Sequence, residues 1–491
     1  MTQPDDTQVA RANARAQMKK GFAWFGSSAL VVRLVELAST LVILRLLTKE
    51  DFGRASVVLS IILIVEALSG AGLGTSIVQA PELSHRQINS LFWLCILVAC
   101  ALGLIIATGA PFVTHYYGDS DLKTMMWAGA TKMLPVGAAV VPLQLLARDL
   151  RFRESSLVQA GATLLEALTR VSLAMLGMGA WALILANVAR GVFLCTLVFI
   201  VKPVRPQAHF SKSEVEPFIQ FGIRAAMASF LTQCYRHVDY LLVGKFLGLS
   251  AAGLYRVAYE IALTAVEVVT QLVNRVVYPV FSTVNKENKE LLPVFFYANR
   301  YLWIVLSPII VLVFFNPEPI IMVFAGPQWV GAATATKLLS WAALFHATCQ
   351  QFSMLFYARG RADYVMSAAF VTLLAISTTM VGALVLLPRL YIASAGLAWL
   401  VSYPIVLIYL FGLTKRLLPF KISDYLRNIA PVAGALLIMA ISIQIILWVL
   451  ARYVVPELVA AGISSVIGIT AFVLALRYSP NLNKIRMRFS N

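Results

Sequence analysis

Charged residues are scarce in this sequence, and their scarcity excludes an ordinary soluble protein. Asp, Glu, Lys and Arg make up 13% of the 491 residues, whereas soluble domains contain about 25%. Apolar runs of about 20 residues recur along the whole chain, which is the length that a helix needs to cross a hydrocarbon core of about 30 Å. The sequence therefore predicts an all-α polytopic membrane protein.

Several kinds of chemical site are absent as well. The five cysteines all fall inside apolar runs, and neither they nor the five histidines have the spacing of metal ligands. The sequence contains no Gly-rich phosphate-binding loop, no ATP-binding motif and no set of nucleophile and base. We therefore expect no disulfide, no metal site, no cofactor and no enzymatic activity.

Acidic residues are outnumbered by basic ones, 23 to 40, which gives a formal net charge of +17. This excess does not require nucleic acid as a partner, because basic residues collect in the cytoplasmic loops of membrane proteins. Few basic residues fall in the segments that alternate on the other side, namely Lys49, Arg54, Lys123, Arg389 and Arg452. The asymmetry predicts cytoplasmic N- and C-termini and an even number of spans.

Fourteen apolar spans are predicted, with short breakers between them and no connection long enough for a soluble domain. They cover residues 22–47, 51–79, 88–113, 122–146, 155–177, 179–201, 217–247, 251–278, 293–316, 328–357, 364–387, 391–414, 428–450 and 454–476.

An internal repeat groups these spans into two lobes. Gly53 matches Gly253, and the segment 131–134 (TKML) matches 336–339 (TKLL), at the slowly increasing offsets that a duplicated six-span unit gives. Because six is even, both copies have the same orientation in the membrane. The predicted order is an N-terminal tail at 1–21, an N-lobe at 22–201, a linker at 202–216, a pseudo-symmetric C-lobe at 217–414, a loop at 415–427, two extra C-terminal helices at 428–476 and a basic tail at 477–491.

Charged side chains occur inside several of these spans, where each costs at least about 2.5 kcal/mol at the bilayer centre. Arg33 and Glu36 share a helix face because they are three residues apart, and Arg236 with Asp239 repeats the arrangement. Further charges of this kind lie in spans two, seven and eight, namely Glu66, Arg224, Arg256, Glu260 and Glu267. Two interpretations remain open: a polar cavity between the lobes, or structural ion pairs that lock helices together.

The composition of these charges indicates the kind of ligand that a cavity would hold. Several arginines favour an anionic group such as phosphate or pyrophosphate. The carboxylates would be counter-ions to the arginines, or groups that titrate and couple transport to H+ or Na+. The candidates for these two roles are Glu36, Glu66, Asp239, Glu260 and Glu267.

Sequence segments with a fixed order and spacing carry a family resemblance. They are 44–53 (LRLLTKEDFG), 70–74 (GAGLG), 77–79 (IVQ), 116–119 (YYGD) and 146–152. With these segments and fourteen spans, the chain resembles Wzx-type lipopolysaccharide or exopolysaccharide flippases, in the branch that includes colanic acid exporters. These belong to the multidrug/oligosaccharidyl-lipid/polysaccharide exporter superfamily, and the resemblance covers nearly the whole chain.

The resemblance implies a flippase of the bacterial inner membrane. It implies that two six-helix lobes move an undecaprenyl-pyrophosphate-linked oligosaccharide repeat unit from the inner to the outer leaflet by alternating access, for O-antigen or exopolysaccharide assembly. Cationic residues on spans one, two, seven and eight would hold the head group, and by position these are Arg33, Arg224, Arg236 and Arg256. The implied partners are the lipid-linked substrate, membrane lipids, a polysaccharide polymerase and a chain-length regulator. Gln233, Tyr235 and Gln271 are candidates for contacts with the sugar.

Other functions remain as alternatives. A lipid II flippase or a cation-coupled multidrug exporter would share the fold of this superfamily. Outside it, the chain would be a scaffold for polysaccharide assembly, or a membrane glycosyltransferase or polymerase. The enzyme alternative depends on Asp119-Ser120-Asp121, an Asp-x-Asp sequence of the kind that holds a metal-bound sugar phosphate, for which a solvated turn is the competing explanation.

Overall fold

The computed structural model describes residues 32–33, 35–80, 82–286, 291–453 and 455–478, and all regular elements in these ranges are helices. The first helices are α1 (35–46), α2 (Lys49–Gln79), α3 (His85–Tyr117), α4 (Asp121–Ala130), α5 (Met133–Arg148), α6 (Phe152–Met175), α7 (Ala180–Val201) and α8 (Lys212–Leu247). The others are α9 (Leu249–Lys286), α10 (Leu291–Phe315), α11 (Pro317–Phe324), α12 (Ala333–Ala358), α13 (Ala362–Leu386), α14 (Ile392–Leu417), α15 (Ile422–Leu450) and α16 (Glu457–Arg477), with 3-10 turns at Pro327–Ala332 and Pro388–Leu390.

The prediction of an all-helical, multi-pass membrane protein is confirmed. Nine segments of the described ranges are long and apolar enough to cross a membrane: Lys49–Gly70, His85–Tyr117, Asp121–Arg148, Ala180–Val201, Leu291–Phe315, Ala362–Leu386, Ile392–Leu417, Ile422–Leu450 and Glu457–Arg477. Helices α6, α8, α9 and α12 have spanning length but carry more polar and charged side chains. Residues 22–31 and 34 of the predicted first span lie outside the described residues, so the number fourteen stays a prediction.

Local sequence signals explain several helix ends. Helix α2 begins with a capping box, in which the Thr48 hydroxyl accepts a hydrogen bond from the Asp51 backbone N–H at 3.1 Å. Helix α3 begins with the same device, formed by Ser84 and Gln87. It ends at Gly118, whose φ of 73° lies in the left-handed region that glycine adopts without strain. These ends agree with the breakers that the sequence predicts.

The predicted span 122–146 is present as Asp121–Arg148, but its helix is interrupted at Thr131 and Lys132, between α4 and α5. Pro135 supplies the physical reason. Proline has no backbone N–H, so it cannot donate to the carbonyl four residues earlier, which is that of Thr131. The break matters for the site because it falls at Lys132, a buried charged residue.

The chain packs into two compact units, here called the N-unit (Met1–His237) and the C-unit (Val238–Asn491). The boundary between the two units lies inside α8. The sequence instead predicts the boundary between the lobes at the linker 202–216. The first turns of α8 belong to the N-unit because Val215 and Phe218 are buried in one apolar cluster with Leu91 and Phe92 of α3. A division at the linker would expose this cluster.

Each unit has its own helix packing. In the N-unit, α2, α3, α4, α5 and α7 surround an apolar core, and α6 packs on α7. In the C-unit, α9, α10, α12 and α14 pack together, and α13 covers α14. The last two helices belong to the C-unit, because α15 packs on α10 and α16 packs on α15. Most of the charged residues predicted to function lie in α2, α8 and α9.

The linker 202–216 is bound to the start of α3 by polar contacts within the N-unit. The Ser90 hydroxyl donates to Oε2 of Glu214 at 2.6 Å and accepts from the Ser211 backbone N–H at 3.1 Å. The Trp93 indole N–H donates to the Gln207 carbonyl at 2.8 Å. The Ser90 hydroxyl holds the pKa of Glu214 below its usual value, because its hydrogen bond favours the carboxylate.

Replacing Ser90 by alanine is expected to loosen the linker and to raise the pKa of Glu214. The pKa of a free Glu is about 4.3, and the folded value is lower, so the contact stabilises the protein above that pH. This stabilisation is lost as the pH falls through the folded value. Hydrogen exchange measured by mass spectrometry at neutral pH should be faster in residues 203–216 of Ser90→Ala. Thr108→Ala, which removes a hydroxyl bonded within its own helix, should leave this exchange unchanged.

Candidate functional site

The first polar pair of the N-unit is the one that helix periodicity predicts. Arg33 Nη1 lies 3.0 Å from Glu36 Oε2, one turn along the same helix face. Both side chains are about one-third exposed. The pair is therefore partly accessible, and its Coulomb attraction is weakened by solvent wherever water reaches it.

A second pair in the N-unit joins two helices. Lys132 Nζ lies 2.6 Å from Glu66 Oε2, and the Lys132 side chain is only 2% exposed while that of Glu66 is 24% exposed. A buried ammonium is tolerated only when it is paired, because its desolvation costs several kcal/mol. The ammonium is thus buried, and its carboxylate partner is the more exposed of the two. Glu66 is among the residues that the sequence predicts for the site, whereas Lys132 is not, although the repeated TKML and TKLL segments mark its position.

A glycine in α7 makes room for this buried lysine. A Cβ atom added at Gly191 would lie 3.0 Å from Lys132 Cγ and 3.3 Å from Val136 Cγ2. The lysine stem therefore passes directly over the α7 backbone. The Lys132–Glu66 pair depends on three helices, since α2 supplies the carboxylate, α5 begins next to the lysine and α7 supplies the space.

Gly191→Val is expected to displace the Lys132 stem and to lower the thermal unfolding midpoint by several degrees. Gly382→Val is the matched control, because it introduces the same side chain into a helix where nothing lies within 4 Å of the added Cβ. Both changes have the same helix propensity, so the difference between them measures the steric effect. Equal unfolding midpoints would show that the space above Gly191 is not needed.

The C-unit contains a fully buried carboxylate. Asp239 Oδ2 accepts a hydrogen bond from the Tyr255 hydroxyl at 2.6 Å, and Oδ1 accepts one from the Tyr240 backbone N–H at 2.9 Å. Tyr255 lies on the neighbouring helix α9, so this contact ties the end of α8 to α9. The sequence contains no signal for the Tyr255 contact, because tyrosine is a common apolar-face residue.

The arginine of the C-unit is held by both charge and an aromatic ring. Arg256 Nη2 and Nε lie 2.8 Å and 3.0 Å from Glu260 Oε1, as the i,i+4 spacing predicts. Thr264 donates to the other carboxylate oxygen at 3.0 Å. The guanidinium carbon lies 5.2 Å from the centre of the Tyr240 ring, within the range of a cation–π contact. The Nη1 edge takes no part in these contacts with Glu260.

Aromatic rings surround this pair. Tyr240 packs edge-on against Tyr255 and Tyr259, each at 5.5 Å between ring centres, and Tyr259 packs against Trp399 at 5.6 Å. Trp399 is fully buried. Aromatic pairs of this geometry add about 0.5–1.5 kcal/mol each beyond the burial of their area. The cluster therefore fixes Tyr240, and Tyr240 in turn limits where the Arg256 guanidinium lies.

Other predicted site residues take less defined positions. Arg224 is exposed on α8, Arg236 is half-buried in the same helix, and Glu267 is half-buried in α9. Gln233 and Tyr235 are half-buried in α8. The side chain of Gln271 lies outside the described residues. Among the predicted site residues, Arg33 pairs with Glu36, Glu66 with Lys132, and Arg256 with Glu260.

Glu166 and Arg190 form a contact of a structural kind. The Glu166 Oε2 and Arg190 Nε atoms lie 3.4 Å apart and join α6 to α7. Sequence spacing pairs Glu166 with Arg170 instead. In the structure Glu166 pairs with Arg190, because α6 and α7 pack closely against each other. This packing brings a residue of the next helix as close to Glu166 as one on the next turn of its own helix.

The Asp-x-Asp sequence is engaged by an arginine. Arg54 Nε lies 2.7 Å from Asp119 Oδ2, and Arg54 Nη2 lies 3.7 Å from Asp121 Oδ2. Asp119 Oδ1 also accepts the Asp121 backbone N–H at 2.9 Å. Among the residues that the structure describes, no three His, Cys, Asp or Glu side chains are placed to share a metal ion. The two carboxylates thus bind a guanidinium and organise the turn between α3 and α4.

The N-unit also contains a cavity of about 180 Å³ where α2, α3 and α8 meet. Its lining is Leu68, Leu94, Val98, Ile219, Gly222, Ile223 and Ala226. These side chains offer no hydrogen-bond donor, so the cavity is unsuited to a sugar or a phosphate. It contains none of the charged candidates.

The fold defines the class of protein. A solved structure of the lipid II flippase MurJ, in an inward closed conformation, aligns with a TM-score of 0.72 at 14% identity and covers 92% of this chain and 97% of its own. An inward-facing multidrug resistance MATE family transporter of the MOP superfamily aligns with a TM-score of 0.62 at 13% identity, over 78% of this chain and 94% of its own. The chain therefore has the helical fold of MOP-superfamily transporters.

The sequence then defines the family. The profile of the polysaccharide biosynthesis protein family matches residues 42–334, which is more than half of the chain. The lipopolysaccharide biosynthesis protein WzxC of Escherichia coli is 23% identical over 356 residues, 71% of each chain. The succinoglycan biosynthesis transport protein ExoT of Rhizobium meliloti is 25% identical over 313 residues, 61% of this chain and 60% of its own. The protein belongs to the polysaccharide biosynthesis protein family, in agreement with the resemblance found in its sequence.

Proposed function

We propose that this protein is a flippase for an undecaprenyl-pyrophosphate-linked oligosaccharide repeat unit. It moves this lipid from the inner to the outer leaflet of the bacterial inner membrane by alternating access of two six-helix lobes, with both chain termini in the cytoplasm. The proposal is supported by membership of a polysaccharide biosynthesis family, by a transporter fold, and by relatives named for lipopolysaccharide biosynthesis and succinoglycan transport.

The observation that carries the proposal is the Arg256–Glu260 pair. A guanidinium presents five N–H donors, and Glu260 accepts from only Nε and Nη2. A pyrophosphate oxygen approaching from the remaining edge would form a charge-assisted hydrogen bond, which is roughly twice as strong as a neutral one. Arg33, Arg224 and Arg236 complete the set of proposed head-group ligands.

The carboxylates have a proposed role in energy coupling. Glu66 and Glu260 already neutralise a cation each, at 2.6 Å and 2.8 Å. An anionic head group that attracts Lys132 or Arg256 would release part of this pairing, and the freed carboxylate would then take up H+ or Na+. Glu36, Asp239 and Glu267 are the other candidates. In this scheme, binding of the substrate favours binding of the coupling ion, because the substrate releases the carboxylate that the ion binds.

The aromatic cluster of the C-unit favours a second candidate, a multidrug exporter, because rings and carboxylates bind organic cations. Trp399 and Tyr255 are fully buried, however, and the Asp239 carboxylate is bonded by the Tyr255 hydroxyl. These groups support Arg256 and leave little surface for a drug. A lipid II flippase differs from the proposed function only in the sugar.

The proposal is tested by extracting lipids from a strain that lacks this protein. Accumulation of a complete polyprenyl-pyrophosphate repeat unit on the cytoplasmic leaflet is the expected result, and it would identify the glycan. A truncated oligosaccharide would point to a missing transferase, and accumulated lipid II to the peptidoglycan flippase. Unchanged lipids with altered sensitivity to cationic drugs would favour the exporter. A polysaccharide polymerase and a chain-length regulator are proposed as partners on the outer side.

A further inference from the structure

Four basic side chains cluster where α14 ends and α15 begins. Lys415 and Arg416 lie in the last turn of α14, Lys421 is the N-cap of α15, and Arg427 lies in its second turn. All four are exposed. Asp424 is the single acidic residue between positions 415 and 427. This group is here called the 415–427 basic patch.

The backbone that carries the patch is held in place by buried side chains. Leu418, Phe420 and Tyr425 alternate with the basic residues and are buried. The Phe420 ring stacks on Phe411 at 5.5 Å between centres and lies 6.1 Å from Tyr425. The turn is closed by a hydrogen bond of 2.9 Å from the Leu418 N–H to the Thr414 carbonyl. The cations therefore project from a fixed platform, and little backbone entropy is lost when they bind an anion.

Some basic residues near other helix ends are paired with carboxylates. Lys202 Nζ lies 2.6 Å from Asp149 Oδ2, and Arg361 Nη2 lies 2.7 Å from Asp363 Oδ2. Within the described ranges, no carboxylate pairs with any of the four side chains of the 415–427 basic patch. Their charge is therefore not paired with a carboxylate of the described residues, which leaves it available to an external anion.

The surroundings of the patch favour an anion that is attached to hydrocarbon. Leu426, between the buried Tyr425 and the exposed Arg427, is 59% exposed, and Leu437 further along α15 is 65% exposed. These side chains belong to a segment apolar enough to cross the membrane. The first N–H groups of α15 have no side-chain cap at Lys421, and such groups also attract phosphate. Exposed apolar side chains next to four cations match the acyl chains and the phosphate group of a phospholipid.

We infer that the 415–427 basic patch binds the phosphate groups of anionic phospholipids, and that this contact anchors the α14–α15 turn at the membrane surface. Each Lys or Arg near an anionic membrane contributes about fivefold in affinity. Four such residues would together contribute on the order of a hundredfold or more. The inference does not depend on the transported substrate.

The test measures the thermal unfolding of the full-length protein in neutral detergent, with phosphatidylglycerol or phosphatidylcholine added. Phosphatidylglycerol is expected to raise the unfolding midpoint, and phosphatidylcholine is not. In the variant Lys415→Gln, Arg416→Gln, Lys421→Gln, Arg427→Gln, the phosphatidylglycerol concentration for half of this effect should rise by roughly several hundredfold. The matched control Arg389→Gln, Arg452→Gln removes two exposed charges elsewhere and should keep the wild-type concentration.

A single substitution that removes a negative charge, and so has the opposite expected effect, provides an independent measurement. Asp424→Asn removes the acidic residue of the patch, so the concentration for half effect should fall about fivefold. This variant decides the question if the fourfold variant does not fold. The inference is overturned if both patch variants keep the wild-type concentration, or if inorganic phosphate alone stabilises the protein as strongly as phosphatidylglycerol does.

Discussion

Arg256→Ala is expected to reduce export of the lipid-linked oligosaccharide by ten- to a hundredfold while the protein remains folded in the membrane. A hydrogen bond to a charged group contributes about 1.5–3 kcal/mol, and 1.4 kcal/mol corresponds to a factor of ten. Arg256→Lys should recover only part of the activity, because an ammonium carries its donors on one nitrogen and lacks the planar fork that binds Glu260 and presents a separate edge to phosphate. The measurement is polymer output per molecule of membrane-inserted protein.

The control for Arg256→Ala is a change at another helical arginine that pairs with a glutamate. Arg190 lies 3.4 Å from Glu166 and joins α6 to α7. Arg190→Ala should leave export within about twofold, because an exposed ion pair contributes at most about 1 kcal/mol to stability and Arg190 is not among the proposed ligands. Equal losses in the two variants would mean that both arginines act only through the fold.

Tyr240 tests whether the aromatic cluster positions the Arg256 guanidinium. Tyr240→Phe keeps the ring beneath the cation and should keep export near the wild-type level. Tyr240→Leu removes the π face, and a partly desolvated cation–π contact is worth about 1 kcal/mol. The substrate concentration that gives half-maximal export should therefore rise roughly fivefold, with an unchanged maximal rate. A loss that is equal in both variants would instead point to the hydroxyl.

Lys132→Met is expected to destabilise the protein by about 3 kcal/mol, the largest effect on stability that we predict. Removing one partner of a buried ion pair leaves the other charge uncompensated, at a cost of about 3–5 kcal/mol. The lower value applies because the Glu66 side chain is 24% exposed and keeps some solvation. Reversible unfolding in detergent, or the unfolding midpoint where refolding fails, measures the change.

The double variant Lys132→Met, Glu66→Gln distinguishes pairing from packing. A buried pair replaced on both sides is often neutral in stability, so the second change should recover most of the loss caused by the first. Glu66→Gln alone should also destabilise, because it leaves the fully buried ammonium of Lys132 without its counter-charge. Additive losses in the double variant would show that the two side chains contribute independently.

Sequence alone predicted the features that depend on residues close together in the chain. Apolar runs predicted a multi-pass helical protein, because the cost of burying backbone polar groups in lipid leaves helices as the way for such runs to cross. The capping boxes at Thr48 and Ser84, which begin α2 and α3, also depend only on contacts three residues away. The pairs Arg33–Glu36 and Arg256–Glu260 follow from the 3.6-residue turn, and both are present.

Two further features of the structure have local signals in the sequence. Pro135 marks the break between α4 and α5, and the repeated TKML segment marks Lys132. A lysine inside an apolar run is costly enough to indicate a partner. Its partner, Glu66, is 66 residues away, and no helix periodicity relates the two positions.

The tertiary structure decided which polar and charged side chains from different parts of the chain meet. It joined Lys132 to Glu66, Tyr255 to Asp239, and Arg54 to Asp119. Each of these contacts depends on the rotation and separation of packed helices, which are set by side-chain interlocking over many residues rather than by any short segment. Hydropathy and helix spacing are local properties and can be read along the chain. The choice of partner for a buried charge is a property of the packed helices.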